Sequence, residues 1–104
     1  MNASAKFNLG QVVHHRQTGN RGVVVDVDPQ FQGRREWLEA QDKEIVDRDD
    51  PWYYVLVDGH DAAAYVAEIE LQADFAPLPI KHPHLASYFE AFDGGSYRTR
   101  RSLN

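Results

Sequence analysis

Five histidines are the residues of this sequence best suited to binding a metal ion. His14 and His15 are adjacent, and His82 and His84 stand on either side of a proline. Adjacent side chains of a strand point to opposite faces, whereas a zinc site needs three or four convergent ligands. Because no further ligands stand at a recognisable spacing, the pattern favours solvent-exposed or helix-capping histidines, and we predict neither a metal nor a cofactor.

Acid–base or nucleophilic catalysis is the second kind of chemistry that the residue types allow. Aspartates fall near several expected strand ends, at Asp26, Asp28, Asp49, Asp50, Asp58 and Asp61. Such carboxylates act as acids or bases only where burial changes their pKa, and aspartate at a strand end more commonly forms a turn. The sequence has no cysteine, no G-x-S-x-G nucleophile motif and no P-loop. It therefore predicts a protein that is not an enzyme.

Aromatic side chains could instead stack on nucleic-acid bases or anchor a bound peptide. The candidates are Trp52, Tyr53, Tyr54, Tyr65, Phe89 and Phe92. Aromatic residues dominate the cores of small domains, so most of these rings are expected inside. Residues 52–57 place aromatic rings on both faces of one strand. Tyr53 or Tyr54 is therefore expected to cover a helix or to form a partner surface.

Length and composition indicate one small domain, residues 1–104. Hydrophobic residues make up 42% of the sequence and aromatic residues 12%, which is enough for a modest packed core. No apolar run approaches the roughly 18 residues of a membrane helix, and residues 1–6 lack the apolar stretch of a signal peptide. We therefore expect a cytoplasmic protein that has no membrane partner.

Charge is distributed unevenly along the chain, whose formal net charge is −5. Residues 1–35 carry a net charge of +3, residues 36–80 carry −10, and residues 81–104 carry +2. This acidic centre argues against broad binding to phosphate backbones, which needs a basic face. It leaves open a local basic patch formed where the two ends of the chain meet.

Strand patterns dominate the positions between these residues, so the fold is predicted to be mainly β. The predicted strands are residues 11–15, 23–28, 52–57 and 63–66. The first two should form a hairpin, because Gly19 and Asn20 accept the positive φ of a turn. Val23, Val25 and Val27 are expected on one face of their strand. The strand over 52–57 is aromatic and aliphatic throughout, which is typical of a central strand.

Helices are predicted in two places outside the strands. The polar excursion over residues 30–50 is too long for an ordinary loop, and its spacing of apolar residues indicates a short amphipathic helix. A C-terminal helix over about residues 83–93 has its apolar stripe at Leu85, Tyr88, Phe89 and Phe92. Gly94 and Gly95 should end that helix, and a basic tail over 96–104 should follow it.

An ordered set of segments resembles the HspQ family, also described as YccV-like or hemimethylated-DNA-binding. The matching segments are residues 6–15, 21–29, 51–56, 65–68, Leu71, His82-Pro83, Tyr88-Phe89 and 92–95. The resemblance implies a small SH3-like antiparallel β-barrel, here over about residues 6–75, with a C-terminal α-helix and no known catalytic activity. It also implies a heat-shock factor of protein quality control that works with the Lon protease as a substrate or as a specificity enhancer. Preferential binding of hemimethylated DNA is the alternative that it implies.

Each of these two functions has candidate residues in the sequence. For docking to an acidic protein partner, the candidates are Arg98, Arg100, Arg101 and Leu103. For DNA, they are His14, His15, Arg16, Arg21, Arg34 and Arg35, which could surround the first hairpin. The expected partners are an ATP-dependent, Lon-type protease and its substrates, with DNA second. Surplus aromatic residues also predict a homo-oligomer, for which a trimer is one guess.

Overall fold

An antiparallel sheet of five strands forms the centre of the computed structural model, which describes residues 5–31 and 50–100. Its strands are β1 (Val12–His15), β2 (Arg21–Asp28), β3 (Trp52–Val57), β4 (Ala63–Ala67) and β5 (Leu71–Ala73). They lie side by side in the order β4-β3-β2-β1-β5, and every neighbouring pair is antiparallel. A 3₁₀ turn, Glu68–Glu70, connects β4 to β5. The two edge strands of the sheet are therefore consecutive in the chain.

The predicted mainly β architecture is confirmed by this sheet. The β1–β2 hairpin turns at Gly19, whose φ is 76°, and β3 lies between β2 and β4 as expected for a central strand. Within the described residues no ladder joins β4 to β5, so the closed barrel of the prediction is not reproduced. The helix predicted in the polar excursion falls on residues 32–49, which lie outside the described residues.

A β-bulge in β2 corrects the predicted faces of that strand. Val24 pairs with Val55 and Asp26 pairs with Tyr54, so Val25 is an extra residue opposite β3. The alternation of side chains therefore shifts at Val25. Val27 packs on the same side as Val24, whereas Val23 and Val25 pack on the other side. The prediction that Val23, Val25 and Val27 share a face was wrong, because it assumed an unbroken ladder.

The C-terminal segment is a short helix followed by a β-hairpin, so the predicted helix over 83–93 was wrong for most of its length. Within that range only α1 (Leu85–Tyr88) is helical, and β6 (Phe89–Asp93) pairs with β7 (Ser96–Thr99). Gly94 and Gly95 have φ values of 64° and 89°, the two successive positive values of a two-residue hairpin turn. The glycine pair therefore reverses the chain, and residues 96–99 form a strand where a frayed tail was predicted.

Two hydrophobic clusters lie on opposite sides of the sheet. The first core contains Phe7, Val13, Val24, Tyr53, Val55 and Leu71. The second core contains Val12, Val23, Leu56, Ile80, Phe89 and Tyr97. The β6–β7 hairpin covers the second core, because Tyr97 donates its backbone N–H to the Gly10 carbonyl at 2.8 Å. The Tyr97 hydroxyl also accepts a hydrogen bond from the Ile80 N–H at 2.9 Å.

Candidate binding surfaces

The described part of the predicted DNA-binding patch lies on the first hairpin. His14 and His15 end β1, Arg16 follows them, and Arg21 begins β2. The structure thus places these four residues at one end of the first hairpin. Arg34 and Arg35, the other two candidates, lie outside the described residues.

Acidic side chains accompany both histidines of this patch. His14 Nδ1 lies 3.4 Å from Asp74 Oδ2, and its Nε2 is hydrogen bonded to Gln72 Oε1 at 3.0 Å. His15 Nε2 lies 3.7 Å from Glu70 Oε1. These contacts arise because β5, with its flanking residues, pairs with β1. Protonated histidines here would meet carboxylates of the same chain, so they offer little net positive charge to a phosphate.

Arg21 is likewise engaged within the chain. Its Nε donates to Asp74 Oδ2 at 3.2 Å, and its Nη2 donates to the carbonyls of Ala76 and Leu78 at 3.4 and 2.6 Å. Burial alone would raise the pKa of Asp74, but the Ala76 N–H and the charges of Arg21 and His14 outweigh it and lower that pKa. Arg21 and Asp74 therefore hold residues 74–78 against the sheet.

The predicted protein-docking arginines lie on and after β7. Arg98 Nε is 2.8 Å from Glu90 Oε1 across the β6–β7 hairpin, with 61% of the Arg98 side chain exposed. Arg100 Nε donates to the Ala86 carbonyl at 2.5 Å, which ties the end of β7 to α1. Arg101 and Leu103 lie outside the described residues. Both described arginines stay at the surface, and each has a partner in its own chain.

Large apolar side chains are exposed in the segment after β5. Phe75 is 90% exposed and Leu78 is 60% exposed, the largest such values among the described residues. A shallow groove of about 430 Å³ beside β5 is lined by Lys6, Phe7, Gln11, Arg16, Leu71, Gln72, Ala73 and Phe75. Neither Phe75 nor Leu78 is among the binding residues that the sequence predicts. The available signal was that Phe75 and Leu78 lie outside every predicted strand, with Leu78 between Pro77 and Pro79.

Of the aromatic candidates, Trp52, Tyr53 and Phe89 are buried and Tyr54 is partly exposed. Of Tyr53 and Tyr54, Tyr54 reaches the surface and is 37% exposed, while its expected contact with a partner stays a prediction. Its ring lies 4.6 Å from that of Tyr65. Some desolvation, together with the nearby charges of Asp28 and Asp26, raises the pKa of Tyr54.

Tyr53 holds the N-terminal segment on the first core. Its hydroxyl accepts hydrogen bonds from the N–H groups of Lys6 and Phe7 at 3.0 and 3.2 Å, and donates to Glu68 Oε1 at 2.5 Å. Burial and the hydrogen bond to Glu68 raise the pKa of Tyr53 to about 12. A neutral hydroxyl that both accepts and donates is suited to bracing the N-terminal segment against the sheet.

The remaining histidines do not form a metal site within the described residues. No three His, Asp or Glu side chains there converge in a way that could hold a metal ion. His82 Nε2 contacts the Ala62 carbonyl at 3.0 Å, and its ring lies 5.5 Å from that of His84.

No helix in the part of the chain that the structure describes is long and apolar enough to cross a membrane.

Comparison with known protein families gives one match that spans most of the chain. A family model described as hemimethylated DNA-binding protein YccV like matches residues 5–96. The matched range runs from the N-terminal segment held by Tyr53 to the first residue of β7. It therefore includes the whole five-stranded sheet, the first hairpin, and the exposed segment that carries Phe75 and Leu78.

Proposed function

Because the chain belongs to the YccV-like family, we propose that it is a non-enzymatic binding domain whose main ligand is a protein. The proposed role is in protein quality control, where the domain binds an ATP-dependent, Lon-type protease and modulates the degradation of its substrates. One observation carries this choice. His14, His15 and Arg21 of the first hairpin each lie beside a carboxylate of their own chain, whereas Phe75 and Leu78 are exposed.

The groove beside β5 indicates the chemistry of that partner. Exposed apolar side chains rimmed by polar ones are typical of protein-binding surfaces. Phe75 supplies the apolar part here, and Lys6 and Arg16 lie in a groove whose lining contains no carboxylate. The surface therefore suits a protein segment that combines apolar and acidic side chains.

A reconstituted degradation assay tests this proposal. The rate at which a Lon-type protease degrades a substrate is measured without the chain, with the chain, and with a Phe75→Ser, Leu78→Ser double variant. We expect the chain to change the rate, and the double variant to need about tenfold more protein for the same effect. Ile69→Ser is the matched control, since Ile69 is 44% exposed but lies outside the segment. Unchanged degradation with the wild-type chain, at any concentration, would refute the proposal.

Arg98 and Arg100 remain candidate contacts for an acidic patch of the same partner. Deleting residues 96–104 would not test them cleanly, because Tyr97 belongs to the second core. The Arg98→Glu variant changes the charge and leaves that core intact. A loss of activity in the degradation assay would assign the contact to Arg98, and full activity would exclude it.

DNA binding is the second candidate, and the description of the matching family favours it. A DNA-binding domain that neutralises several phosphates binds with steep salt dependence. Because His14, His15 and Arg21 lie beside carboxylates of their own chain, this chain is expected to bind hemimethylated and unmodified duplexes equally weakly at low salt. A clear preference for the hemimethylated duplex that is lost in Arg16→Ala and Arg21→Ala would make DNA the main ligand instead.

Self-association forms part of the proposal, because a second copy could cover Phe75 and Leu78. Sedimentation of the wild-type chain and of the Phe75→Ser, Leu78→Ser variant would measure it. A wild-type oligomer that dissociates in the variant would place the contact between copies at this segment. Equal masses of the wild-type chain and the variant would mean that this segment is not the contact between copies and is available to the protein partner.

A further inference from the structure

A cavity of about 170 Å³ lies at one end of the first core. Its lining residues are Val13, His15, Thr18, Asn20, Arg21, Gly22, Val55, Val57, Ala64, Val66 and Leu71. Every one of the five strands contributes to it, including both edge strands β4 and β5. The sheet is therefore curved enough for its two edges to face one space, although no ladder joins them in the described residues.

The walls of this cavity are apolar and its charges lie at the rim. Val13 and Leu71 are buried at its base, whereas Val57, Ala64 and Val66 are partly exposed in its wall. The rim residues His15 and Arg21 have Glu70 and Asp74 beside them. A charged ligand would find no unpaired countercharge among these described residues, so the cavity suits an uncharged apolar group.

Small residues keep the cavity open. A Cβ at position 22 would overlap Val55 Cγ1 and lie 2.7 Å from the Leu56 carbonyl oxygen, so the strand cannot carry a larger residue there. Ala64 faces Val55 across the β3–β4 ladder with only a methyl group. Glycine inside a strand commonly marks a close approach of another group. Here that group is Val55, and the space beside it remains unfilled.

We infer that this cavity binds one uncharged apolar side chain, of leucine to phenylalanine size, presented by the protein partner. Apolar cavities of about 150 Å³ in proteins bind benzene, so the volume fits a single side chain of this class. The edges of β4 and β5 lie beside the cavity, where an extended segment of the partner can add main-chain hydrogen bonds. This inference rests on the proposed function, because it names the group by which the protein ligand is held.

Titration with capped amino acids, followed in the amide spectrum of the whole chain, tests the inference. The probes are N-acetyl-L-leucinamide and N-acetyl-L-phenylalaninamide, and N-acetylglycinamide is the reference without a side chain. We expect saturable shifts at Val57, Ala64, Val66 and Leu71 with the two apolar probes and none with the reference. Ala64→Leu fills the cavity and should abolish these shifts. Ala63→Leu is the matched control, because Ala63 is exposed on the same strand and does not line the cavity.

The outcomes separate this inference from the proposed function. Absence of saturable shifts in the wild-type chain, or shifts that persist unchanged in Ala64→Leu, would overturn the cavity as a site even if the chain still changes proteolysis. Val57→Phe is a second filling variant in case Ala64→Leu does not fold, as judged from its own amide spectrum. Conversely, cavity binding combined with no effect on proteolysis would support the site and refute the protease role.

Discussion

The two faces of the sheet are closed in different ways. The second core is covered by the β6–β7 hairpin, whose Tyr97 is bonded both to Gly10 and to Ile80. The first core is braced by Tyr53 and the N-terminal segment, but one end of it opens into the cavity between β4 and β5. The β6–β7 hairpin, which we call the lid, therefore covers one face of the sheet, whereas part of the other face is accessible.

This difference assigns separate roles to the two faces. Contacts on the covered face are backbone hydrogen bonds and buried rings, so changes there should mainly affect stability. Contacts around the open face include ion pairs at its rim and exposed apolar groups beyond it, so changes there should affect binding. Arg98 lies on the solvent side of the hairpin, with 61% of its side chain exposed, and is therefore expected to contribute little to folding.

Gly10→Ala should produce the largest loss of stability, because it disturbs the contact between Gly10 and the Tyr97 backbone that holds the lid on the sheet. A Cβ at position 10 would overlap the Tyr97 carbonyl oxygen, and the φ of 87° disfavours any side chain. We expect the free energy of unfolding to fall by about 2–5 kcal/mol in urea denaturation. Gly59→Ala is the control, since its φ is 80° but nothing lies near its Cβ, and it should cost only about 1–2 kcal/mol. Equal losses in the two variants would show that the Tyr97 contact contributes nothing.

Tyr53→Phe, on the open face, should cause the next largest loss in the free energy of unfolding. Removing the hydroxyl leaves the Phe7 N–H without its acceptor, which should cost about 1–3 kcal/mol. The pKa of Tyr53 is raised from 10.0 to about 12, so its contribution is complete below pH 10 and is lost as pH rises toward 12.

The alkaline loss of stability should therefore be smaller in Tyr53→Phe than in the wild-type chain when both are unfolded in urea at about pH 8 and about pH 11. Tyr54→Phe serves as the control, because Tyr54 is partly exposed, and should change stability by less than about 0.5 kcal/mol. Identical pH dependence in the wild-type chain and in Tyr53→Phe would contradict the assigned hydrogen bonds.

Asp74→Asn should have a smaller effect. We expect the free energy of unfolding to fall by about 1–2 kcal/mol at neutral pH, because Arg21 loses its charged partner at the rim of the cavity. The folded-state pKa of Asp74 is lowered, so its contribution is present above the unfolded pKa and lost as pH falls through the folded value. Wild type and variant should thus converge in stability at acid pH. Thermal unfolding across the acid range would measure this, with the exposed Asp93→Asn as control. A constant difference at all pH values would rule out the ion pair as its cause.

Arg98→Ala should have the smallest effect on folding. The Arg98–Glu90 pair lies at the surface, with 61% and 43% of the two side chains exposed. Surface ion pairs contribute about 0–1 kcal/mol and are screened by salt. We expect a change in unfolding free energy of less than about 0.5 kcal/mol, and none at high salt. A larger loss would mean that the hairpin depends on this pair to stay on the sheet.

The main strands could be predicted, because their residue types and spacing are local signals, and so could the first hairpin and the central place of residues 52–57. Residues 23–28 and 52–57 are rich in β-branched and aromatic residues, and Gly19 marks the first turn. The bulge at Val25 could not be predicted in this way, since it exists only relative to β3. The C-terminal helix was mispredicted because a short apolar stripe fits either period, and Gly94-Gly95 can end a helix or turn a hairpin.

The candidate surfaces were less predictable than the fold, because they depend on distant pairs. His14, His15 and Arg21 read as a basic patch, but Asp74 and Glu70 reach them from more than fifty residues away through the β1–β5 ladder. Counting charge by segment separates these partners and so overstates the patch. The cavity draws on all five strands, and no single stretch of the sequence carries its signature.

Hydrogen exchange of the chain, free and bound to a Lon-type protease with its substrate, tests whether the partner binds at the open face while the lid stays in place. We expect slower exchange on binding at β4 (Ala63–Ala67) and β5 (Leu71–Ala73), with no change in the Tyr97 amide, which donates to the Gly10 carbonyl in the free chain. Slower exchange confined to other segments, or faster exchange at Tyr97, would contradict it.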